Sequence, residues 1–333
     1  MKYNTENIIS YNDMKLEDII MDASSFIKLN IPEKKTYLHP WIKESELIMI
    51  CGWRGTGKTM FALSILDAIS RGGSFGPWSS HEPTPCLYLD GEMAAIDTIN
   101  RIKSLSTSEP NKNFYIYSDA YATQEGKRRA TLLNKDWREK IKTYLIEHGI
   151  KVWIIDNASA LSPGIDENSK EEWDVINNWF LDLRFSGITT IFLHHEGKGG
   201  KQRGTSGRED FLDISLRLQR PSNYNKDKDG CRFIASFEKD RIPDKDRPLI
   251  QNVEFKLIQN DNKPIWEYGD AKSNTQNEVL KLFHEGLTNK EITEKLKISK
   301  SRVSQIKKSL IEDGLLTNNN KLTKLGAQKI FGD

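Results

Sequence analysis

The chain has 333 residues, 37% hydrophobic and 29% charged, with a formal net charge of +2, an ordinary globular balance that suits one large domain and a small one. No apolar run reaches the roughly 20 residues that span a bilayer, and the first residues carry no signal-peptide core. The three cysteines show no CxxC spacing and no His pattern for zinc, so a cytoplasmic protein with no membrane partner and no redox or zinc centre is expected.

The charge is unevenly spread. Residues 271–333 hold 12 Lys and Arg against 7 Asp and Glu, while the rest of the chain is slightly acidic. A basic excess confined to the C-terminal fifth points to nucleic acid there.

In chain order, Leu16, Ile19, Ile20, Ala23, Phe26 and Ile27 recur at helical spacing. They predict one amphipathic helix within residues 1–30, packed on its own domain or on a neighbouring subunit. From Glu46 strands and helices alternate. Strands are expected at 46–52, 85–92, 113–118, 152–157 and 188–195, with helices at 58–71, 93–105, 135–148 and 171–186 between them. Short apolar strands alternating with helices predict an α/β domain around a mostly parallel sheet. Residues 119–136 give no clear element. Three further strands are expected within 211–221, 231–241 and 248–260, followed by a polar stretch that reads as a linker. The predicted division is an arm at 1–34, a core domain at 35–260, a linker at 261–274 and a C-terminal domain at 275–333.

Gly52-Trp53-Arg54-Gly55-Thr56-Gly57-Lys58-Thr59 matches G-x-x-x-x-G-K-[ST] between a predicted strand and helix. Its small residues let backbone N–H groups wrap phosphates, and Lys58 carries charge to the β and γ phosphates. The Thr59 hydroxyl would ligate magnesium. These eight residues and Met60 form the expected ATP site. Val152-Trp153-Ile154-Ile155-Asp156 carries a second magnesium ligand, a carboxylate, to a strand's C-terminal edge. Asn157, not Glu, follows it. A base that activates water must then come from another strand edge, and Glu92 in Leu89-Asp90-Gly91-Glu92 is the expected one, with Asp90 as its competitor.

His194 and His195 end the fifth core strand, and successive strand residues face opposite sides. His194 is the expected γ-phosphate sensor. The Gly-rich loop 197–208 carries Lys198, Lys201 and Arg203, which suit a phosphate backbone or simply a solvated surface. Lys239 and Arg241 could reach the γ-phosphate of a neighbouring subunit, or could equally be surface ion-pair partners.

Taken together, GWRGTGKT, YLDGEM, VWIIDNASAL and IFLHHEGKGGKQRGTSGRED resemble the RecA-like hexameric helicases, and among them the plasmid replicative helicases of the RepA type. The resemblance covers roughly residues 35–255. It implies a RecA-like core, a homo-hexameric ring with ATP between subunits, and translocation on single-stranded DNA. It also implies that Glu92 is the catalytic glutamate, Asp156 the magnesium-binding aspartate, His194 the sensor, 197–208 the pore loop, and Lys239 and Arg241 the trans-acting fingers.

Residues 275–330 resemble a winged helix-turn-helix. Thr288 and Glu291 form a capping box, and the recognition helix is expected at 301–313, followed by a small wing. Val303, Ile306, Leu310 and Ile311 would face inward, leaving Arg302, Gln305, Lys307 and Lys308 for duplex DNA. Protein contacts are the alternative use of such a domain.

Overall fold

The computed structural model describes residues 13–106, 111–164, 170–196, 211–260, 263–296 and 298–331. The described part of the arm is not one amphipathic helix. It holds a 3-10 turn at Leu16–Asp18 and the one-turn α1 (Ala23–Phe26), whose start is capped by the Asp22 carboxylate accepting from Ser25 N. Ile19, Ile20, Phe26 and Ile27 are all exposed. With no surface against these apolar side chains, nothing offsets the cost of nucleating a longer helix.

The core opens with β1 (Thr36–Leu38) and β2 (Ile42–Lys43), a small hairpin, and continues into β3 (Leu47–Gly52) and α2 (Lys58–Arg71). A second hairpin, β4 (Ser74–Phe75) and β5 (Trp78–Ser79), precedes β6 (Cys86–Asp90), α3 (Ala95–Leu105), β7 (Phe114–Ser118) and α4 (Asp119–Gln124). Next come α5 (Lys135–Glu147), β8 (Val152–Asp156), α6 (Lys170–Phe185) and β9 (Thr189–His195). Then β10 (Ile214–Gln219), β11 (Arg232–Lys239), β12 (Val253–Asn260) and β13 (Lys263–Asp270) complete the sheet. The C-terminal unit contains α7 (Ala271–His284), α8 (Asn289–Leu296), α9 (Lys300–Glu312) and α10 (Lys324–Phe331).

One nine-stranded sheet runs β13-β12-β11-β10-β3-β9-β8-β6-β7, with the strands from β10 to β7 parallel and β11 to β13 added antiparallel. The strand order around β3 is that of a RecA-like P-loop core: β9 stands between the P-loop strand and β8. Its residues alternate between two buried layers. Ile48, Ile50, Val152, Ile154, Ile191 and Leu193 pack with α2, whereas Leu47, Met49, Trp153, Ile155 and Phe192 pack with α5 and α6. This parity decides what points at the P-loop.

The described residues of the expected linker, 263–274, do not form one. β13 pairs with β12 along its whole length, and α7 starts directly after it. The stretch reads as polar because β13 is an edge strand with an exposed face, while Trp266 on its other side packs against the core and donates its indole N–H to Ser64 Oγ at 2.8 Å. The C-terminal unit has the winged-helix form. Val279, Leu280, Phe283, Ile292, Val303, Ile306 and Leu310 make its core, with Ile311 partly buried against them, and a Leu316–Leu322 bridge closes the wing. The capping box forms: Thr288 N donates to Glu291 Oε2 at 2.7 Å and Glu291 N to Thr288 Oγ1 at 3.4 Å.

Candidate nucleotide site

The C-terminal ends of β3, β9, β8 and β6 carry the site. Gly52 and Gly57 are glycine for steric reasons. A Cβ on Gly52 would lie 2.7 Å from Leu218 O, and one on Gly57, whose φ is +106°, would lie 2.2 Å from Cys231 Sγ. The loop therefore turns tightly against β10 and the start of β11, with its N–H groups at the N-terminus of α2. A cavity of about 410 Å³ opens there, lined among others by Gly55, Lys58, Thr59, Met60, Glu92 and Asp156. Trp53 and Arg54 are exposed at its rim.

Lys58 is buried, and its Nζ donates to Gly52 O at 2.7 Å and Trp53 O at 3.1 Å, and lies 3.0 Å from His195 Nδ1. Burial, only partly offset by Asp156, lowers its pKa to about 8. Asp156 is buried, and its Oδ2 accepts from Thr59 Oγ1 at 2.6 Å and from Tyr88 O–H at 2.6 Å. Burial raises its pKa, against the two hydroxyl hydrogen bonds. One carboxylate and one hydroxyl, both hard oxygens at the edge of this cavity, fit magnesium, which keeps most of its remaining ligands as water and phosphate.

Glu92 is largely exposed to the cavity. Its Oε2 accepts from Asn157 Nδ2 at 2.5 Å, and the other end of that amide accepts from Ala160 N at 2.8 Å. Asp90, the competitor, is buried away from the cavity lining and accepts from Glu92 N, Met93 N and the Thr98 hydroxyl, so it shapes the turn that presents Glu92.

The structure corrects the sensor assignment. His195, not His194, faces the cavity. The odd residues of β9 share the α2 side with Ile191 and Leu193, and His195 lies opposite Gly52 in register. His194 is buried on the other side, opposite Cys51. Burial and the Lys58 charge hold His195 below the usual imidazole pKa, so the ring is neutral. An ammonium only donates, so Nδ1 accepts and the ring proton sits on Nε2. That nitrogen, a donor in this tautomer, lies 3.7 Å from Glu92 Oε2, whereas Asn157 Nδ2, 3.2 Å away, is itself a donor and makes no hydrogen bond to it. Contacts thus run from the P-loop lysine through His195 to Glu92.

Lys239 and Arg241 are not brought to this cavity. Lys239 stands opposite Ser215, itself opposite Met49, roughly 10 Å along the strand from Gly52. Arg241 Nη1 sits 3.0 Å from Asp213 Oδ1 near the far end of β3. Lys198, Lys201 and Arg203 lie outside the described residues. On α9, Ser299 caps the helix, Gln305 and Lys308 are exposed, and Arg302 and Lys307 are half-buried. Lys307 Nζ lies 5.9 Å from the Phe283 ring centre.

Tyr88, Asn157 as the partner of Glu92, Cys231 and Arg101 escaped the sequence reading as site residues. Arg101, half-buried on α3, lines the cavity and makes no salt bridge among the described residues. Cys231 packs on the P-loop, and burial pushes its thiol up to about 12.

A family model described as an AAA domain matches residues 13–201, more than half of the chain. The chain belongs to this AAA domain family. It is an ATP-driven P-loop NTPase in that sense, and a second family model, described as wHTH-PRTase associated, matches residues 278–330. No curated protein matches the sequence. Among solved structures, flagellar accessory protein FlaH from Methanocaldococcus jannaschii is similar at 14% identity and a TM-score of 0.45, over 67% of this chain and 90% of that one. The KaiC-like protein PH0186 from Pyrococcus horikoshii OT3 is similar at 16% identity and a TM-score of 0.45, over 68% of this chain and 90% of that one. Among the described residues, no helix is long and apolar enough to cross a membrane.

Proposed function

We propose that this AAA domain protein is an ATP-hydrolysing DNA motor, a ring-forming, replicative-type helicase of a plasmid, phage or other mobile element. It would work in the cytoplasm as a homo-hexamer on single-stranded DNA. The observation that carries the reading is the set Lys58–His195–Glu92, with Glu92 also held by Asn157, beside the Thr59–Asp156 pair. The P-loop and Lys58 bind the phosphates. Magnesium held by Thr59 and Asp156 neutralises phosphate charge when bound. Glu92, oriented by Asn157, takes the proton of the attacking water. His195 touches the lysine that binds phosphate, so loss of the γ-phosphate is felt at the end of β9, next to the loop carrying Lys198, Lys201 and Arg203. Lys239 and Arg241 are too far from their own P-loop to serve it, so any part they play in hydrolysis would be at a neighbour's nucleotide, for which Arg241 would have to leave Asp213. Arg302, Gln305, Lys307 and Lys308 would bring the ring to duplex DNA.

A second reading is an ATP-switched DNA-binding regulator that does not unwind. It is favoured by the direct hydrogen bonding of α7 to the loop after β10, described below. The test is the ATPase rate with and without single-stranded DNA, with mass measured by light scattering in an ATP analogue. Strong stimulation, a hexamer-sized mass and directional unwinding are expected. A DNA-indifferent monomer would overturn the motor, and stimulation without unwinding would leave the regulator.

A further inference from the structure

The segment between β10 and β11, residues 220–231, touches the P-loop at both ends and the winged-helix unit in the middle. At its start, Arg220 Nη2 donates to Gly55 O at 3.0 Å. At its end, Cys231 lies so close to Gly57 that no side chain would fit between them. Midway, Asn223 Nδ2 lies within hydrogen-bond reach of both carboxylate oxygens of Glu278 on α7, at 2.6 and 2.5 Å.

The segment is braced internally. Arg220 lies over the Tyr224 ring at 4.4 Å, Tyr224 O–H donates to Gly230 O at 2.8 Å, and Asn225 N donates to Asp229 Oδ2 at 2.7 Å. The residue after it, Arg232, continues the connection. Its guanidinium contacts Asp229 at 3.2 Å, Glu254 at 2.6 Å and Glu278 at 3.7 Å, while Glu254 accepts from Asn274 of α7 at 3.0 Å. A braced strap fixed at two points to the nucleotide loop passes a displacement of that loop on instead of absorbing it.

We propose that residues 220–232 form a strap that couples the nucleotide state of the P-loop to the winged-helix unit, with Asn223 and Glu278 as its coupling pair. The inference rests on the reading of the P-loop cavity as a nucleotide site. Coupling is reciprocal: whatever nucleotide does to α7, a ligand on the winged helix does to nucleotide affinity.

Hydrogen exchange on the full chain, with and without magnesium and a non-hydrolysable ATP analogue, tests this. Nucleotide should slow exchange in residues 52–60 and change that of α7 amides by about fivefold or more. Asn223→Asp sets two carboxylates against each other. It should keep the P-loop protection and reduce the α7 response to under about twofold. Adding Glu278→Gln exchanges the amide and the acid and should restore the response, which a general loss of packing would not do. A protected P-loop with an unresponsive α7 in the wild type would overturn the strap alone. An unprotected P-loop would overturn the nucleotide site, and the strap with it.

Discussion

The two ends of the P-loop strand use the same kinds of charged group in opposite ways. Near Leu47, Asp213 is buried with its charge fully matched. Leu47 N donates to it at 2.9 Å, Arg241 approaches at 3.0 Å, and Arg184 bonds it as well. Near Gly52, cation and anion are kept apart. Lys58 is held by two carbonyls and a neutral imidazole, and Asp156 by two hydroxyls; neither makes a salt bridge among the described residues. Charges that are buried but not matched to each other are poised for a ligand that carries the complements, a phosphate for Lys58 and a metal for Asp156. One end is closed structure, and the other is a site.

That contrast can be broken by substitution. Asp213→Ala strands Arg184 and leaves Leu47 N unpaired, so it should destabilise the fold by about 3 to 5 kcal/mol in chemical denaturation. A cost below about 1 kcal/mol would mean that the far end is not a closed network.

Glu46, at the same end, is the exception, a buried carboxyl beside Asp213 that makes no salt bridge among the described residues, and pH exposes it. Burial raises its pKa to about 7, while Lys43 N donates to it at 3.1 Å. A carboxyl whose pKa is higher folded than unfolded contributes stability below the unfolded value and loses it as pH rises through the folded one. From about 4.5 to about 7, at roughly 1.4 kcal/mol per unit, the loss is about 3 kcal/mol. Glu46→Gln should therefore be the more stable protein at pH 8 by about that amount and indistinguishable at pH 4. Parallel pH profiles would contradict the assignment.

The smallest effect is expected at the P-loop end. Lys58→Met removes a buried ammonium, so it should abolish nucleotide binding while raising the stability of the nucleotide-free fold by about 1 kcal/mol. Marked destabilisation would mean that Lys58 is a structural residue.

The same comparison explains what the sequence could tell. That residues of the 52–59 loop and Asp156 would meet was legible because local motifs carry them, and that Glu92 would join them at one cavity because Asn157 stands where a carboxylate could have been. The phase of β9 was also within reach. Ile191 and Leu193 share the face of Ile48 and Ile50, so His195 follows from parity, but a histidine pair offers no such cue by itself. Other contacts join residues far apart in the chain and leave no local signature: Tyr88 with Asp156 and Asn157 with Glu92 are 68 and 65 residues apart. β13 reads as a linker because half of an edge strand faces water. The arm reads as a helix because spacing records periodicity and not whether a surface exists to receive it.

Glu92 is proposed to activate water in a site whose phosphate and magnesium groups, Lys58, Thr59 and Asp156, are separate from it. The most direct test is turnover and nucleotide affinity of Glu92→Gln, measured side by side with wild type. The expected result is a fall in kcat of about 10² to 10⁴ with unchanged nucleotide affinity. Near wild-type turnover would contradict the assignment and require the base to come from another group in the cavity.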